Sequence, residues 1–238
     1  MKRTGAEHAE TTDPTSAPLN VAVFASGGGT NFQALLDHQV KQDSWRVRVL
    51  VVNRDAGAIE RAKGADLPVR MIGTRDRDAE EVAAETLAVL DEFEIDLILL
   101  SGYLRLLPTE VVRRFAGRIL NIHPALLPAF GGKGMYGMNV HEAVVASDAT
   151  ETGATVHFVT EAYDEGGVLG QWHVPVLPGD SAQDVAARVL RVEHQLYPRA
   201  VDHLCAALRD GRTAERMKDV WLEEPPDLPI SSNHEETA

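Results

Sequence analysis

Asn121 and His123 stand two residues apart at the end of an apolar run, in "RILNIHPALLP". In an extended segment both side chains leave on the same side. An amide beside an imidazole suits the holding of an oxyanion, and a protonated imidazole adds a second donor that can later give a proton to a leaving group. Pro124 restricts His123 to extended backbone, and Pro128 stiffens the rest of the loop. The glycine-rich stretch after it, "GGKGMYG" at 131–137, reads as a mobile flap carrying Lys133. A second candidate is "SGGGTN", Ser26 to Asn31, where glycines followed by a helix start would let backbone amides approach a phosphate. A third is Asp164 in "YDEGG", since a carboxylate near His123 would raise the imidazole pKa by favouring its charged form. Each also has an ordinary reading: a satisfied loop histidine, a tight strand-to-helix turn and an acidic turn residue.

Other chemistries find less support. The glycine loop is not a dinucleotide fingerprint, because the third glycine of G-x-G-x-x-G would fall at Phe32, and it lacks the lysine of a P-loop. His141, His157, His173 and His194 show no metal-ligand spacing, so no metal is expected. His157, between Val156 and Phe158, either shares a cleft with Asp164 or is simply buried and hydrogen-bonded. No G-x-S-x-G elbow occurs, and the single cysteine, Cys205, falls in a helical stretch, where it reads as a small buried residue and not a nucleophile.

The elements that must hold these residues alternate. "LNVAVFAS" reads as a strand, "TNFQALLDHQV" as a helix, "RVRVLVVN" as a strand, "AGAIERAKGAD" as a helix, "LPVRMI" as a strand and "RDAEEVAAETLAVLDEF" as a longer helix. "IDLILLSG" is almost continuously apolar, as expected of a parallel strand covered on both faces. "PTEVVRRFAG" should be a short helix leading into "RILNIH", and "MNVHEAVVAS" another after the flap. "GATVHFVT" and "VLGQWHVPVL" have strand character and suggest a hairpin-like addition, followed by a long helix entered through Ser181 as N-cap and kinked or divided at Pro198. The fold class expected is α/β: a doubly wound, mostly parallel sheet with helices on both faces and an antiparallel addition near the C-terminal part. Ligands of such sheets bind beyond the carboxyl ends of the strands.

The chain has 238 residues, enough for one large domain, expected over 19–211. Residues 1–18 read as a disordered leader and 212–238 as a tail partly docked through Trp221 and Leu222. A formal charge of −13 disfavours nucleic acid and anionic lipid as partners. One cysteine excludes an intramolecular disulfide, and no uncharged run is long enough for a membrane span, so a soluble cytoplasmic protein acting on small molecules is expected. Oligomeric state is not legible.

In this order, "SGGGTN", "SGYLRLLP", "NIHPALLPAF", "GATVHFVTEAYDEGG" and "RVEHQLYP" resemble the phosphoribosylglycinamide formyltransferases, folate-dependent enzymes of purine (IMP) biosynthesis. The resemblance runs from about Leu19 to Leu208 and implies the formyltransferase fold. It implies a catalytic set of Asn121, His123 and Asp164, with Gly29, Thr30 and Asn31 on the substrate phosphate and Glu193 on the same substrate. It places the folate at Leu104, Arg105, Leu106 and Leu107, with Asn121, Thr160, Glu161 and Asp164, and leaves open whether Arg75 or Arg77 contributes. The co-substrate implied is 10-formyltetrahydrofolate, with no metal and no covalent intermediate. The amine of the glycinamide would attack the formyl carbon directly. Asn121 and protonated His123 would stabilise the tetrahedral intermediate, and Asp164 would support the imidazolium and help move a proton from the amine toward N10.

Rival readings with the same chemistry are a sugar-nucleotide N-formyltransferase and a formyltetrahydrofolate hydrolase; "GGGTN" favours a simple phosphoribosyl substrate over the former. A methionyl-tRNA formyltransferase would need a basic surface that this chain lacks. Outside enzymes, a folate- or nucleotide-binding module remains, against which the intact Asn121, His123 and Asp164 set argues.

Overall fold

Strands of two to eight residues, most of them apolar, build the sheet. The computed structural model describes residues 17–221, so most of the expected leader and Leu222 lie outside the described residues. The first strand, β1 (Leu19–Ala25), leads into α1 (Thr30–Gln39), followed by β2 (Trp45–Val52), α2 (Ala58–Gly64) and β3 (Val69–Met71). The chain then returns through α3 (Ala79–Glu92) to β4 (Leu97–Leu100), α4 (Thr109–Arg114), β5 (Ile119–His123) and α5 (Met138–Ala146). The last elements are β6 (Glu151–Phe158), β7 (Val168–Pro175), α6 (Ala182–Arg209) and a two-residue β8 (Val220–Trp221).

The strands lie in the order β3-β2-β1-β4-β5-β6-β7-β8. Among the described strands only β6 runs against its neighbours, pairing antiparallel with both β5 and β7, so the expected antiparallel addition is one reversed strand inside the sheet. The order reverses between β1 and β4, which pair in parallel. That is the switch point where loops leave the strand ends in opposite directions and open a crevice.

Alternation along β1 divides the core. Val21, Val23 and Ala25 pack with α1, α2, α5 and α6, whereas Ala22 and Phe24 pack with α3 and α4 on the other face. Helices therefore cover both faces, as expected of a doubly wound sheet.

One expectation about the elements needs revision. The helix α6 is not divided at Pro198: it runs unbroken from a Ser181 capping box to Arg209 with Pro198 inside it. An internal proline removes one backbone hydrogen bond and crowds the preceding turn, roughly 3 kcal/mol. Around it Leu196, Tyr197, Ala200 and Val201 are all buried, and burial of several such side chains outweighs that cost. The tail is anchored by backbone, since Val220 and Trp221 pair in parallel with Trp172 and His173 of β7.

Candidate active site

Asn121 and His123 are the last residues of the same face of β5, and the loop after them is fixed from the neighbouring strands. Thr155 of β6 donates through Oγ1 to the Ala125 carbonyl at 2.6 Å and accepts from the Leu127 amide at 3.0 Å. Gln171 of β7 donates to the Leu127 carbonyl and to Thr155 Oγ1, each at 3.0 Å. One hydroxyl donor and its lone pairs are thus fully used in the core. Rigidity after His123 comes from this network as well as from the two prolines. Below it, the buried Tyr197 hydroxyl lies 3.0 Å from the carbonyls of both Leu100 and Leu120 and ties the ends of β4 and β5 together.

Register then decides the neighbours. Asn121 lies opposite His157 and His123 opposite Thr155. Asn121 Nδ2 is 3.0 Å from His157 Nε2, and His157 Nδ1 is 2.9 Å from the Phe158 carbonyl oxygen. Because an amide nitrogen only donates, His157 Nε2 accepts in this contact and its Nδ1–H donates to the carbonyl. Asp164, in the β6–β7 connection at φ 56, reaches both imidazoles. Its Oδ1 is 3.5 Å from His157 Nε2 and its Oδ2 3.7 Å from His123 Nδ1, while the Gly132 amide donates to Oδ2 at 2.9 Å.

The electrostatics correct one expectation. His123 is 3% exposed, and burial pulls its pKa below the ordinary value. The Asp164 carboxylate and the Phe130 carbonyl, 2.8 Å from Nε2, act in the opposite direction but are outweighed, and His157 adds to the lowering. Asp164 does favour the charged imidazole, as reasoned from sequence, yet desolvation of the ring is the larger effect. His123 therefore rests neutral at pH 7. For Asp164, burial opposes ionisation, but the neighbouring His157, the Gly132 amide and His123 together lower its pKa, so it is anionic. A neutral imidazole beside a fixed carboxylate is a group that takes up a proton when negative charge develops next to it.

These side chains line one wall of a cavity of about 720 Å³ at the switch point. Thr30, Asn31 and Glu193 lie on another wall, and Leu104, Arg105, Leu106 and Leu107 all face the same space. Gly29 is the N-cap of α1 at φ 70; a Cβ there would meet Ala58 Cβ at 2.7 Å, so only glycine permits the turn. The buried Glu193 carboxyl is pushed up to about 7 by desolvation, against a 3.1 Å hydrogen bond from Asn31 Nδ2. Asn31 Oδ1 is buried with no partner, so two acceptor oxygens meet there.

Some candidates stand elsewhere. Thr160 and Glu161 are off the cavity: Thr160 Oγ1 contacts the Ala162 backbone and Glu161 pairs with Arg113, while Val159, Ala162 and Tyr163 of that connection line it instead. Arg75 pairs with Asp76 and Arg77 with Glu85, both away from the cavity. The flap lines the cavity, with Lys133 and Tyr136 among the lining residues, and is more fixed than its glycines suggest. Besides the Gly132 bond to Asp164, the Met135 amide donates to Gly132 and Asn139 Nδ2 to Gly134. His141 lines the cavity without having been placed there by sequence reasoning, and for His157 that reasoning left two readings open. Alternation in the strand offered His157 as a candidate, but only the β5–β6 register reveals its partner. Among the described residues no cluster of three or more His, Cys, Asp or Glu could hold a metal ion. The buried Cys205 thiol is pushed up to about 12, chiefly by desolvation.

A family model described as formyl transferase matches residues 19–201. The chloroplastic phosphoribosylglycinamide formyltransferase of Vigna unguiculata is 47% identical over 188 residues, covering 78% of this chain and 60% of that protein. The phosphoribosylglycinamide formyltransferase of Escherichia coli (strain K12) is 34% identical over 208 residues, 86% of this chain and 94% of that one. Among solved structures, glycinamide ribonucleotide transformylase 1 from Geobacillus kaustophilus is 40% identical with a TM-score of 0.70, covering 77% of this chain and 97% of that chain. The chain spans less than two thirds of the length of the plant relatives, 60% for Vigna unguiculata and 65% for Arabidopsis thaliana.

Proposed function

The chain belongs to the formyl transferase family, and on that footing we propose that it transfers the formyl group of 10-formyltetrahydrofolate to the amine of N1-(5-phospho-D-ribosyl)glycinamide, a step of purine biosynthesis. The observation that carries this reading is the meeting of Asn121, His123, His157 and Asp164 at the carboxyl end of β5, between the glycine loop and the 104–107 segment.

The cavity suits two small anionic substrates. Leu104 and Leu106 are 37% and 45% exposed at its mouth, and Tyr136 and Tyr163 are exposed beside them, an apolar surface to which the flat ring of a folate can be matched. The loop of Gly29, Thr30 and Asn31 takes the phosphate ester. Glu193 and the unpartnered Asn31 oxygen accept from hydroxyl or amine donors of the same substrate. In the reaction the amine nitrogen bonds to the formyl carbon, whose oxygen becomes an oxyanion. The free amide hydrogen of Asn121 donates to it, and His123, neutral at rest, is drawn to protonate as the charge forms. Asp164 stabilises that imidazolium and His157 holds the Asn121 amide. His123 takes the proton that the attacking amine loses, and as the carbon–N10 bond breaks it passes that proton to N10.

Among the described residues no helix is long and apolar enough to cross a membrane. With one buried cysteine and small-molecule substrates, we place the protein in the cytoplasm, with 19–211 as the catalytic unit. Substrate identity is tested by comparing amines under identical conditions: kcat/KM for phosphoribosylglycinamide is expected to exceed that for an amino-sugar nucleotide by orders of magnitude. The reverse order would replace this reading with sugar-nucleotide formylation.

A further inference from the structure

Arg54 and Arg61 flank the turn between β2 and α2 and have no place in the assignments above, yet both reach the glycine loop. Arg54 Nε donates to the Ser26 carbonyl at 2.7 Å, the Ala58 amide to the Gly27 carbonyl at 3.1 Å, and Arg61 Nε to the Gly28 carbonyl at 2.7 Å. Three successive carbonyls are thus held from one side. In a trans peptide the N–H points opposite to the C=O of the same plane, so the amides of Gly27, Gly28 and Gly29 are turned the other way. They join the first-turn amides of α1, which have no carbonyl ahead of them. The result is a concave row of donors of the kind that binds anions. The two segments touch so closely that a Cβ on Gly57 would lie 3.3 Å from the Gly28 Cα.

Arg54 also lines the cavity beside Ser26, Thr30 and Asn31. Its Nε is engaged by Ser26, no carboxylate among the described residues forms an ion pair with it, and its two remaining nitrogens keep their donors. In a chain of formal charge −13, a guanidinium left without a carboxylate at a cavity wall is matched to an anionic ligand. Arg61 is differently placed: its second contact is to Gln33 Oε1 at 3.3 Å, within α1, so it braces loop and helix together.

We propose that the β2–α2 segment is the second half of the phosphate subsite: Arg54 donates to the phosphate ester, and Arg61 is a positioning residue that holds the Gly28 carbonyl so that the loop amides face it. This rests on the reading that a phosphorylated amine is the substrate.

The test compares the phosphorylated amine with its dephosphorylated riboside in wild type, Arg54→Gln, Arg61→Gln and Arg61→Lys, and measures thermal protection by inorganic phosphate. Arg54→Gln should raise KM for the phosphorylated substrate ten-fold or more, with a smaller change in kcat and no change in KM for the folate or the riboside. Arg61→Gln should shift the same parameter, and Arg61→Lys should not rescue it, because an ammonium does not reproduce the planar Nε contact. Phosphate protection of the wild type should be lost in both glutamine variants. Equal losses for the two amines, or unchanged phosphate protection, would overturn the proposal while leaving the formyl-transfer reading intact. If the wild type does not formylate the phosphorylated amine but its phosphate protection still depends on Arg54 and Arg61, the activity assignment fails and the subsite stands.

Discussion

At the level of single residues, the proposed chemistry rests on desolvation and placement. His123 is neutral because it is buried and is poised to protonate because Asp164 stays ionised beside it. His123→Ala is expected to lower kcat by about 10²- to 10⁴-fold, with the folate KM and the circular dichroism spectrum close to wild type. Near-normal turnover would remove His123 from the chemistry. Asn121→Ala, which deletes one oxyanion donor, should cost about 10²- to 10³-fold. His157 acts through Asn121, so His157→Phe should slow kcat roughly ten-fold, in keeping with an acceptor lost from a positioned donor. His157→Gln, which can again accept from the amide, should recover part of that rate, and a phenylalanine variant as fast as wild type would contradict the role. Asn121 and His123 were legible because their spacing and the two prolines are local. His157 was not, because which residue of β6 stands opposite Asn121 depends on a pairing that no short stretch encodes.

Elements hold these residues through close backbone contacts and buried groups. Gly153 in β6 is one such point: a Cβ there would lie 2.0 Å from the Trp172 carbonyl oxygen. Gly153→Ala should therefore destabilise by about 3 kcal/mol, at the upper end of overpacking costs, read as a lower urea midpoint at unchanged slope. Helix α5 contains His141, 6% exposed, whose pKa is pushed down to about 4 by burial and then by the charge of His123. A folded pKa below the unfolded value means that stability is complete above about pH 6.5 and is lost as pH falls toward 4. Unfolding free energy should fall across that window by up to roughly 3 kcal/mol from this group, and His141→Leu should flatten the curve. An identical curve in the variant would assign the loss elsewhere. The alternation of strands and helices was legible because buried parallel strands write continuous apolar runs. The unbroken passage of α6 through Pro198 was not, since local propensity opposes it and only packing permits it. Nor was the order of the flap, which comes from Asp164 accepting the Gly132 amide across 32 positions.

For the molecule as a whole, the switch between β1 and β4 brings the glycine loop, the 104–107 segment and the end of β5 around one crevice. Its location followed from the order of elements, whereas its dimensions and the contribution of the β2–α2 segment needed coordinates. The segment after α6 belongs to the folded unit: Met217 packs on the core beside Gly170 and Leu196, Arg216 donates to Gln171 at 2.8 Å, and β8 pairs with β7. Removing residues 212–238 should lower Tm by roughly 5 °C, a loss of about 2 kcal/mol in a chain this size, and an unchanged Tm would show that this segment contributes nothing. The central claim is that this crevice passes a formyl group from a folate to a phosphorylated amine. Its most direct test tracks the carbon itself, with 10-formyltetrahydrofolate labelled in the formyl group and incubated with phosphoribosylglycinamide. The label should appear in the formylated amine, one per tetrahydrofolate released, with almost none released as formate when the amine is omitted. Label recovered as formate at the same rate with and without the amine would contradict the claim and make the protein a hydrolase.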